Sequence, residues 1–321
     1  MLVDGKWSAN WQPVQKKDEK GRFVRQVSSF RNWITPDGAP GPTGEGGFEA
    51  EAGRYRLYVA LICPWASRTL IGRSLKGLKD LIPVTVVNPV MTDEGWAFGG
   101  YPGADEDPLF GSHHIHQLYT RADPHITGRA TVPVLWDMKR NVMVNNESAD
   151  ILRMFNTAFQ KLVPSDIDLY PADLAEKIDT LNPRVYNQLN NGVYKAGFAS
   201  TQQAYDEAVA GVFAMLDELE ETLEGPFLFG DRLTEADIRL FVTLIRFDAA
   251  YHGIFKTNWK RIADYPRLSA YMEKIYLTPG VAETVNMDHI TAGYYSIKAL
   301  NPAGIRPIGP SHIKALLAKA A

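Results

Sequence analysis

Apolar and polar positions change rhythm several times along the chain, and each change predicts an element. Arg54-Tyr55-Arg56-Leu57-Tyr58-Val59-Ala60-Leu61-Ile62 is short and rich in aromatic and β-branched residues, which predicts a strand. Cys63-Pro64 follows at once. Proline suits a first helical turn, and Leu70, Ile71, Leu75 and Leu78 then recur at helical spacing. Residues 81–87 read as a second apolar strand, so strand, helix and strand fill about 35 residues, the length of a βαβ unit. Glycine, proline and aspartate break the pattern over residues 89–128, with a short helix expected near residues 112–121. Residues 131–137 and 141–144 read as a β-hairpin. Asn145-Asn146-Glu147-Ser148 then leads into a helix marked by Ile151, Leu152, Met154 and Phe155.

The order β-α-β-(α)-β-β-α is that of a thioredoxin-like α/β domain. Beyond a linker near residues 160–171 the pattern is helical throughout. Leu174, Ile178, Leu181, Val185 and Leu189 lie on one face, interrupted by Pro183, where a kink is expected. Ala208, Val212, Met215, Leu216 and Leu219 mark a second helix. The expected organisation is an N-terminal extension (1–50), a thioredoxin-like domain (51–160), an all-α domain (172–290) and a Pro/Gly-rich C-terminal extension (291–321). The N-terminal extension holds Trp7, Trp11, Phe23, Phe30 and Trp33, too many aromatics for a free tail, so it is expected to pack on the body.

Composition narrows the function. The chain has 321 residues, 45% hydrophobic and 22% charged, as in an ordinary globular protein. Its 34 Lys+Arg against 37 Asp+Glu leave a net charge of −3, with no field of one sign to hold a nucleic acid or an anionic membrane. Apolar runs reach only about ten residues, too short for a bilayer. Asp4 and Lys6 among Trp7 and Trp11 leave no apolar core for a signal peptide, so a cytoplasmic location is expected. A single cysteine, Cys63, excludes an internal disulfide and a cysteine-rich zinc site.

Cys63 carries the sharpest chemistry. A lone cysteine is by default a buried apolar residue. This one stands where a strand ends and a helix begins, where unpaired amides and the helix dipole favour a thiolate by up to ~2 kcal/mol. A dithiol protein would place a second cysteine three residues on. Here that position is Ala66, so a mixed disulfide at Cys63 must be resolved by an external thiol. Val132-Pro133 opens the strand at which thioredoxin-like proteins hold a cis proline, although most X-Pro bonds are trans. Glu147-Ser148 at a helix start could hold a carboxylate and an ammonium, or could simply cap the helix. Leu233-Thr234-Glu235-Ala236-Asp237-Ile238 predicts a capping box with a hydrophobic staple, a structural role. His113, His114 and His116 lack a carboxylate-rich partner motif and are assigned to surface or packing roles, with no metal expected.

Together these motifs resemble the glutathione transferase family. Cys63-Pro64-Trp65-Ala66, Glu94-Gly95-Trp96-Ala97-Phe98, Tyr119-Thr120-Arg121-Ala122-Asp123-Pro124, the run 131–137, Asn145-Asn146-Glu147-Ser148, the run 190–199, Arg246-Phe247-Asp248-Ala249-Ala250-Tyr251-His252-Gly253 and the tail 301–310 narrow the resemblance to the xi class, the glutathionyl-hydroquinone reductases. It covers nearly the whole chain. The resemblance implies Cys63 as nucleophile and Tyr194 as proton donor. It implies glutathione binding by Trp96, Arg129, Val132, Glu147 and Ser148. Tyr251 and one of Tyr294 and Tyr295, Tyr294 being preferred, match tyrosines that line the hydroquinone pocket and assist the thiolate. It further implies glutathione as co-substrate, a site between two domains, and a homodimer. Two other functions share parts of this pattern. An omega-like thiol transferase or dehydroascorbate reductase would use the Cys63 cycle without an aromatic proton donor, and a non-catalytic scaffold of the same fold would need no thiol.

Overall fold

The computed structural model describes residues 1–8 and 17–320; Trp11 lies outside the described residues. The chain divides into two compact units. The first comprises residues 1–12, 26–168 and 284–289, and the second residues 13–25, 169–283 and 290–321.

The first unit is built on a four-stranded mixed sheet. Its strands are Tyr55–Val59 (β3), Val84–Val86 (β4), Val134–Asp137 (β5) and Val142–Asn145 (β6), in the order β4-β3-β5-β6. β3 and β4 run parallel, joined by Pro64–Leu75 (α1), while β5 is antiparallel to both of its neighbours. A parallel pair needs such a crossover, because a tight turn can only reverse the chain. Leu57, Tyr58, Val134, Leu135 and Trp136 are wholly buried. α1 packs against Ser148–Thr157 (α3), and Gly72 permits the approach: a Cβ there would stand 2.4 Å from Leu152 Cδ1. The β5–β6 hairpin closes through Asn141 at φ 59°, a conformation asparagine tolerates. Asp137 Oδ1 accepts the Lys139 and Arg140 amides there, while its Oδ2 takes two bonds from the buried Arg54 guanidinium at 3.0 and 2.6 Å.

The N-terminal extension is more ordered than its composition suggests. Leu2–Val3 (β1) pairs with Lys6–Trp7 (β2), and Leu2 exchanges both backbone bonds with Gly128. Farther on, Asn32 N–H donates to Val144 and Asn146 N–H to Phe30, so this stretch runs along the outer edge of β6. An edge strand's unpaired amides and carbonyls are thereby covered. The short helix of the insertion is Ile115–Ala122 (α2).

The second unit is helical: Ala175–Val185 (α4), Gly192–Gly197 (α5), Gln202–Thr222 (α6), Glu235–Arg246 (α7), His252–Ile254 (α8), Pro266–Tyr276 (α9), the end of Met287–Tyr295 (α10) and Ser311–Leu317 (α11). α4 continues through Pro183 to Val185 and then widens into a π-helical turn, Tyr186–Asn190. Proline has no N–H to give the preceding turn. Here the Asn187 side-chain amide donates back to the Pro183 carbonyl at 2.9 Å, and Asn191 N–H reaches Tyr186 O at 2.8 Å. A second π-turn, Phe247–Tyr251, follows α7. The expected capping box is formed: Thr234 N–H donates to Asp237 Oδ2 at 2.8 Å. Asp237 also accepts from the Leu228 amide and the Tyr271 hydroxyl, and burial pushes its pKa up. In the C-terminal extension, His312 Nε2 bonds the buried Asp248 at 2.7 Å, and Ile313 and Leu316 are buried.

Among the described residues no helix is long and apolar enough to cross a membrane.

Candidate active site

In the first unit the site begins where β3 runs out. Cys63 is the N-cap of α1, with its amide donating to Ala60 O and its carbonyl accepting from Ser67. Pro64 takes the first helical position, where a missing N–H costs nothing. The thiol is partly exposed, and its Sγ stands 3.6 Å from the Val132 carbonyl oxygen. The Val132–Pro133 peptide is cis, as the thioredoxin-like order implies and against the general preference for trans. Ala66, at the position a resolving cysteine would need, is fully buried. On the same helix the Arg68 guanidinium lies 4.5 Å over the Trp65 ring.

Glu147 and Ser148 stand at the start of α3, where Glu147 is itself the N-cap. Its Oε1 accepts the Ala149 amide at 3.2 Å and its Oε2 the Ser28 hydroxyl at 2.9 Å. Capping is therefore part of the Glu147 role, and Ser148, nearly fully buried, is the first helical residue. The flanking asparagines hold this corner. Asn145 Oδ1 accepts the Glu147 amide at 2.7 Å, and Asn146 donates to the buried Tyr119 hydroxyl at 2.9 Å. Tyr119 in turn donates to Thr131 O at 3.0 Å, one residue before Val132. Burial raises the Tyr119 pKa, so that hydroxyl stays a neutral donor. Arg31 pairs with Asp150 on the same helix.

Trp96 sits half-buried in the loop between β4 and α2, with its carbonyl accepting the Ile115 amide at 2.9 Å. Arg129 is half-buried. Burial first, and then the Arg129 charge, push the Met1 amino group down to about 6.

In the second unit three tyrosines form a chain of hydroxyls. Tyr194 Oη is 2.6 Å from Tyr294 Oη, which is 2.9 Å from Tyr251 Oη. Tyr251 and Tyr294 are buried, and desolvation pushes both pKa values well above the usual phenol value. Tyr194 is the half-buried member of the chain. Tyr295 points elsewhere: a Cβ at Gly253 would meet its hydroxyl at 2.8 Å. Of the adjacent pair, Tyr294 is thus the one bonded to Tyr194 and Tyr251. Phe255 stacks on Tyr251 at 5.3 Å, and the Arg25 guanidinium lies 4.9 Å over the Tyr194 ring while donating to Asn191 Oδ1 at 2.8 Å.

Sequence reasoning named Cys63, Val132, Glu147, Ser148 and the tyrosines. It missed Ser28, Asn145, Asn146, Tyr119 and Arg25 as their supports. Ser28 and Glu147 are 119 positions apart and carry no joint signal in one sequence. Tyr119, Asn145 and Asn146 fall inside the family motifs, which is the one hint the sequence held for them.

Comparison with known proteins agrees with this architecture. Residues 62–158 match the family described as Glutathione S-transferase, N-terminal domain, and residues 202–274 match Glutathione S-transferase, C-terminal domain. The chain is 55% identical over 312 residues to the glutathionyl-hydroquinone reductase YqjG of Escherichia coli, covering 96% of this chain and 94% of that protein. It is 48% identical to the glutathionyl-hydroquinone reductase PcpF of Sphingobium chlorophenolicum, covering 97% and 96% of the two chains. The glutathione-bound structure of YqjG superposes with a TM-score of 0.89 at 53% identity, covering 96% of this chain and 95% of that one. The glutathione-S-transferase Xi of Phanerochaete chrysosporium superposes with a TM-score of 0.88 at 50% identity, covering 93% and 96%. With nearly its whole length matched at this identity, the chain belongs to the xi class of the glutathione S-transferase family, the glutathionyl-hydroquinone reductases.

Proposed function

We propose that the protein reduces S-glutathionyl-hydroquinones to hydroquinones with glutathione as co-substrate. The observation that carries this reading is a lone, partly exposed thiol at the N-cap of α1, with alanine where a resolving cysteine would stand. The Cys63 thiolate attacks the glutathione sulfur of the substrate. A sulfur–sulfur bond forms and the aryl carbon–sulfur bond breaks. Its electron pair stays on the ring carbon, which takes a proton from the Tyr194 hydroxyl. A second glutathione, as thiolate, attacks the Cys63–glutathione disulfide, releases oxidised glutathione and regenerates the Cys63 thiolate; its proton returns to the tyrosine. The net change consumes one glutathionyl-hydroquinone and one glutathione and yields one hydroquinone and one oxidised glutathione. Two sulfurs are oxidised and one ring carbon is reduced.

The cradle for glutathione in this reading is Trp96, Arg129, Val132, Glu147 and Ser148. Val132 offers backbone groups to the peptide, Glu147 accepts the ammonium, and Ser148 with the first amides of α3 takes a carboxylate. Tyr251 and Tyr294 stand behind Tyr194 as neutral phenols and orient its hydroxyl. The same reading takes the chain to be a cytoplasmic homodimer, which light scattering after size-exclusion chromatography tests.

The decisive measurement uses a glutathionyl-hydroquinone and, in parallel, dehydroascorbate. One equivalent each of hydroquinone and oxidised glutathione per turnover, with a glutathione adduct on Cys63 by mass spectrometry, is the expected result. Cys63→Ser should bind glutathione and turn over neither substrate, because a hydroxyl cannot form the mixed disulfide. Faster turnover of dehydroascorbate would favour the omega-like alternative, and absence of the adduct would favour the scaffold.

A further inference from the structure

The loop after β4 and the start of α2 gather a donor set that the sequence kept apart. Glu94 Oε2 lies 3.3 Å from His116 Nε2 and 3.7 Å from His114 Nδ1, and the three ligand atoms are all within 4.8 Å of one another. We infer that Glu94, His114 and His116 form a binding site for a divalent transition cation of the zinc type. No carboxylate-rich motif accompanies these histidines in the sequence; in the fold Glu94 arrives from the loop, 20 and 22 positions upstream.

Geometry and chemistry agree. Donors about 2.0–2.2 Å from a tetrahedral zinc stand about 3.3–3.6 Å apart, close to the two Glu94–histidine separations; the two histidine nitrogens, within 4.8 Å of each other, would draw to that spacing around an ion. Two imidazole nitrogens and one carboxylate oxygen suit Zn²⁺, Ni²⁺ or Cu²⁺ better than Mg²⁺ or Ca²⁺. Three protein donors leave a fourth position for water. The ligands are also held in place. Glu94 sits in a tight turn in which Thr92 and Gly95 exchange both backbone bonds, at 2.9 and 3.0 Å, with Gly95 at φ 84°. His114 caps α2, and Gln117 Oε1 accepts the His113 and His114 amides at 2.6 and 3.0 Å. The outward nitrogen of His114, Nε2, lies 3.4 Å from Thr92 Oγ1. An Nε2–H donated to that hydroxyl leaves the lone pair on Nδ1, the atom that faces Glu94. His114 is also the N-cap of α2, where its backbone carbonyl accepts the Gln117 amide at 3.1 Å. The two imidazoles stack at 5.4 Å, and Trp7 of β2 stacks on His116 at 4.6 Å.

A metal here would clamp the loop bearing Trp96 to the start of α2. The inference does not rest on the proposed reaction, and its test is separate. Zn²⁺ is titrated calorimetrically into untagged full-length Cys63→Ser protein, so that the thiol does not compete. One equivalent binding at micromolar concentration or tighter is expected. Glu94→Gln, which removes a half-exposed charge, and His116→Ala should each weaken binding at least about tenfold. His113→Ala, exposed and outside the trio, should not. Zinc should raise the melting temperature of the parent and not that of Glu94→Gln. Saturation only at millimolar zinc, or equal losses for His113→Ala and His116→Ala, overturns the site.

Discussion

The two units build chemistry in different ways. In the first, the groups proposed to react and bind sit at the ends of adjacent strands and helices: Cys63 at the N-cap of α1, Val132 before β5, Glu147 at the N-cap of α3. In the proposed cradle backbone amides and carbonyls would supply much of the recognition, and their positions follow from secondary structure. In the second, the groups are phenols drawn from three distant segments and held by aromatic packing, Tyr194 to Tyr294 across 100 positions. Polar contacts with fixed backbone partners tolerate little change of side chain. A hydroxyl chain inside an aromatic cluster depends on packing that several residues share.

The sharpest way to break this comparison is Tyr194→Phe. Phenylalanine keeps the ring against Phe198 and Phe255 and removes only the hydroxyl. A positioned general acid contributes roughly 10²–10⁴-fold, and kcat/KM for a glutathionyl-hydroquinone should fall by about that factor. Reduction of a small glutathione mixed disulfide, which leaves no ring carbon to protonate, should stay within a few-fold of the parent. Equal losses on both substrates would make Tyr194 a shaping residue.

A structural polar group of the second unit should behave oppositely. Asp237→Ala would leave the Leu228 and Thr234 amides and the Tyr271 hydroxyl without their shared acceptor. The expected loss is at least about 2 kcal/mol of stability in urea unfolding, with activity per folded molecule little changed. A stability change under 0.5 kcal/mol would show that other acceptors take over.

Glu147 tests the first unit. Hydrogen bonds to a charged group are worth about 1.5–3 kcal/mol, so Glu147→Ala should weaken glutathione binding about tenfold or more. Glu147→Gln retains an oxygen that can accept from Ala149 and Ser28. Calorimetry on the Cys63→Ser background separates charge from capping: if glutamine restores full affinity, the ammonium contact is wrong. The smallest effects should come from the adjacent tyrosines. Tyr294→Phe removes the neutral hydrogen bonds of its hydroxyl to Tyr194 and Tyr251, each worth about 1 kcal/mol, and should cost several-fold in kcat. Tyr295→Phe should leave kcat unchanged, and the reverse ranking would reassign the pair.

Legibility followed the range of the interaction. The βαβ unit, the β5–β6 hairpin and the Thr234–Asp237 box were readable because their signals lie within a few residues of one another. The apolar face of α4 was readable through Leu189, which is buried, but not the change to a π-helical turn after Val185. The π-turns before α5 and after α7 shift the helical phase, and a 3.6-residue period cannot anticipate them. Those shifts lie immediately before Tyr194 and around Tyr251, so the orientation of both phenols was hidden. The choice between Tyr294 and Tyr295 was equally closed to periodicity, since neighbours on a helix differ by about 100° and each could face inward.

By itself the sequence determined the order of elements in the thioredoxin-like domain, the single thiol at a helix start and the absence of a resolving cysteine, all properties of residue identity and short spacing. Only the tertiary structure decided which hydroxyl meets Tyr194, that Ser28 bonds Glu147, and that Glu94 stands against His114 and His116. The reason is physical: these contacts join segments whose separation along the chain carries no periodic signal, and their distances exist only once the sheet, the insertion and the helices have packed.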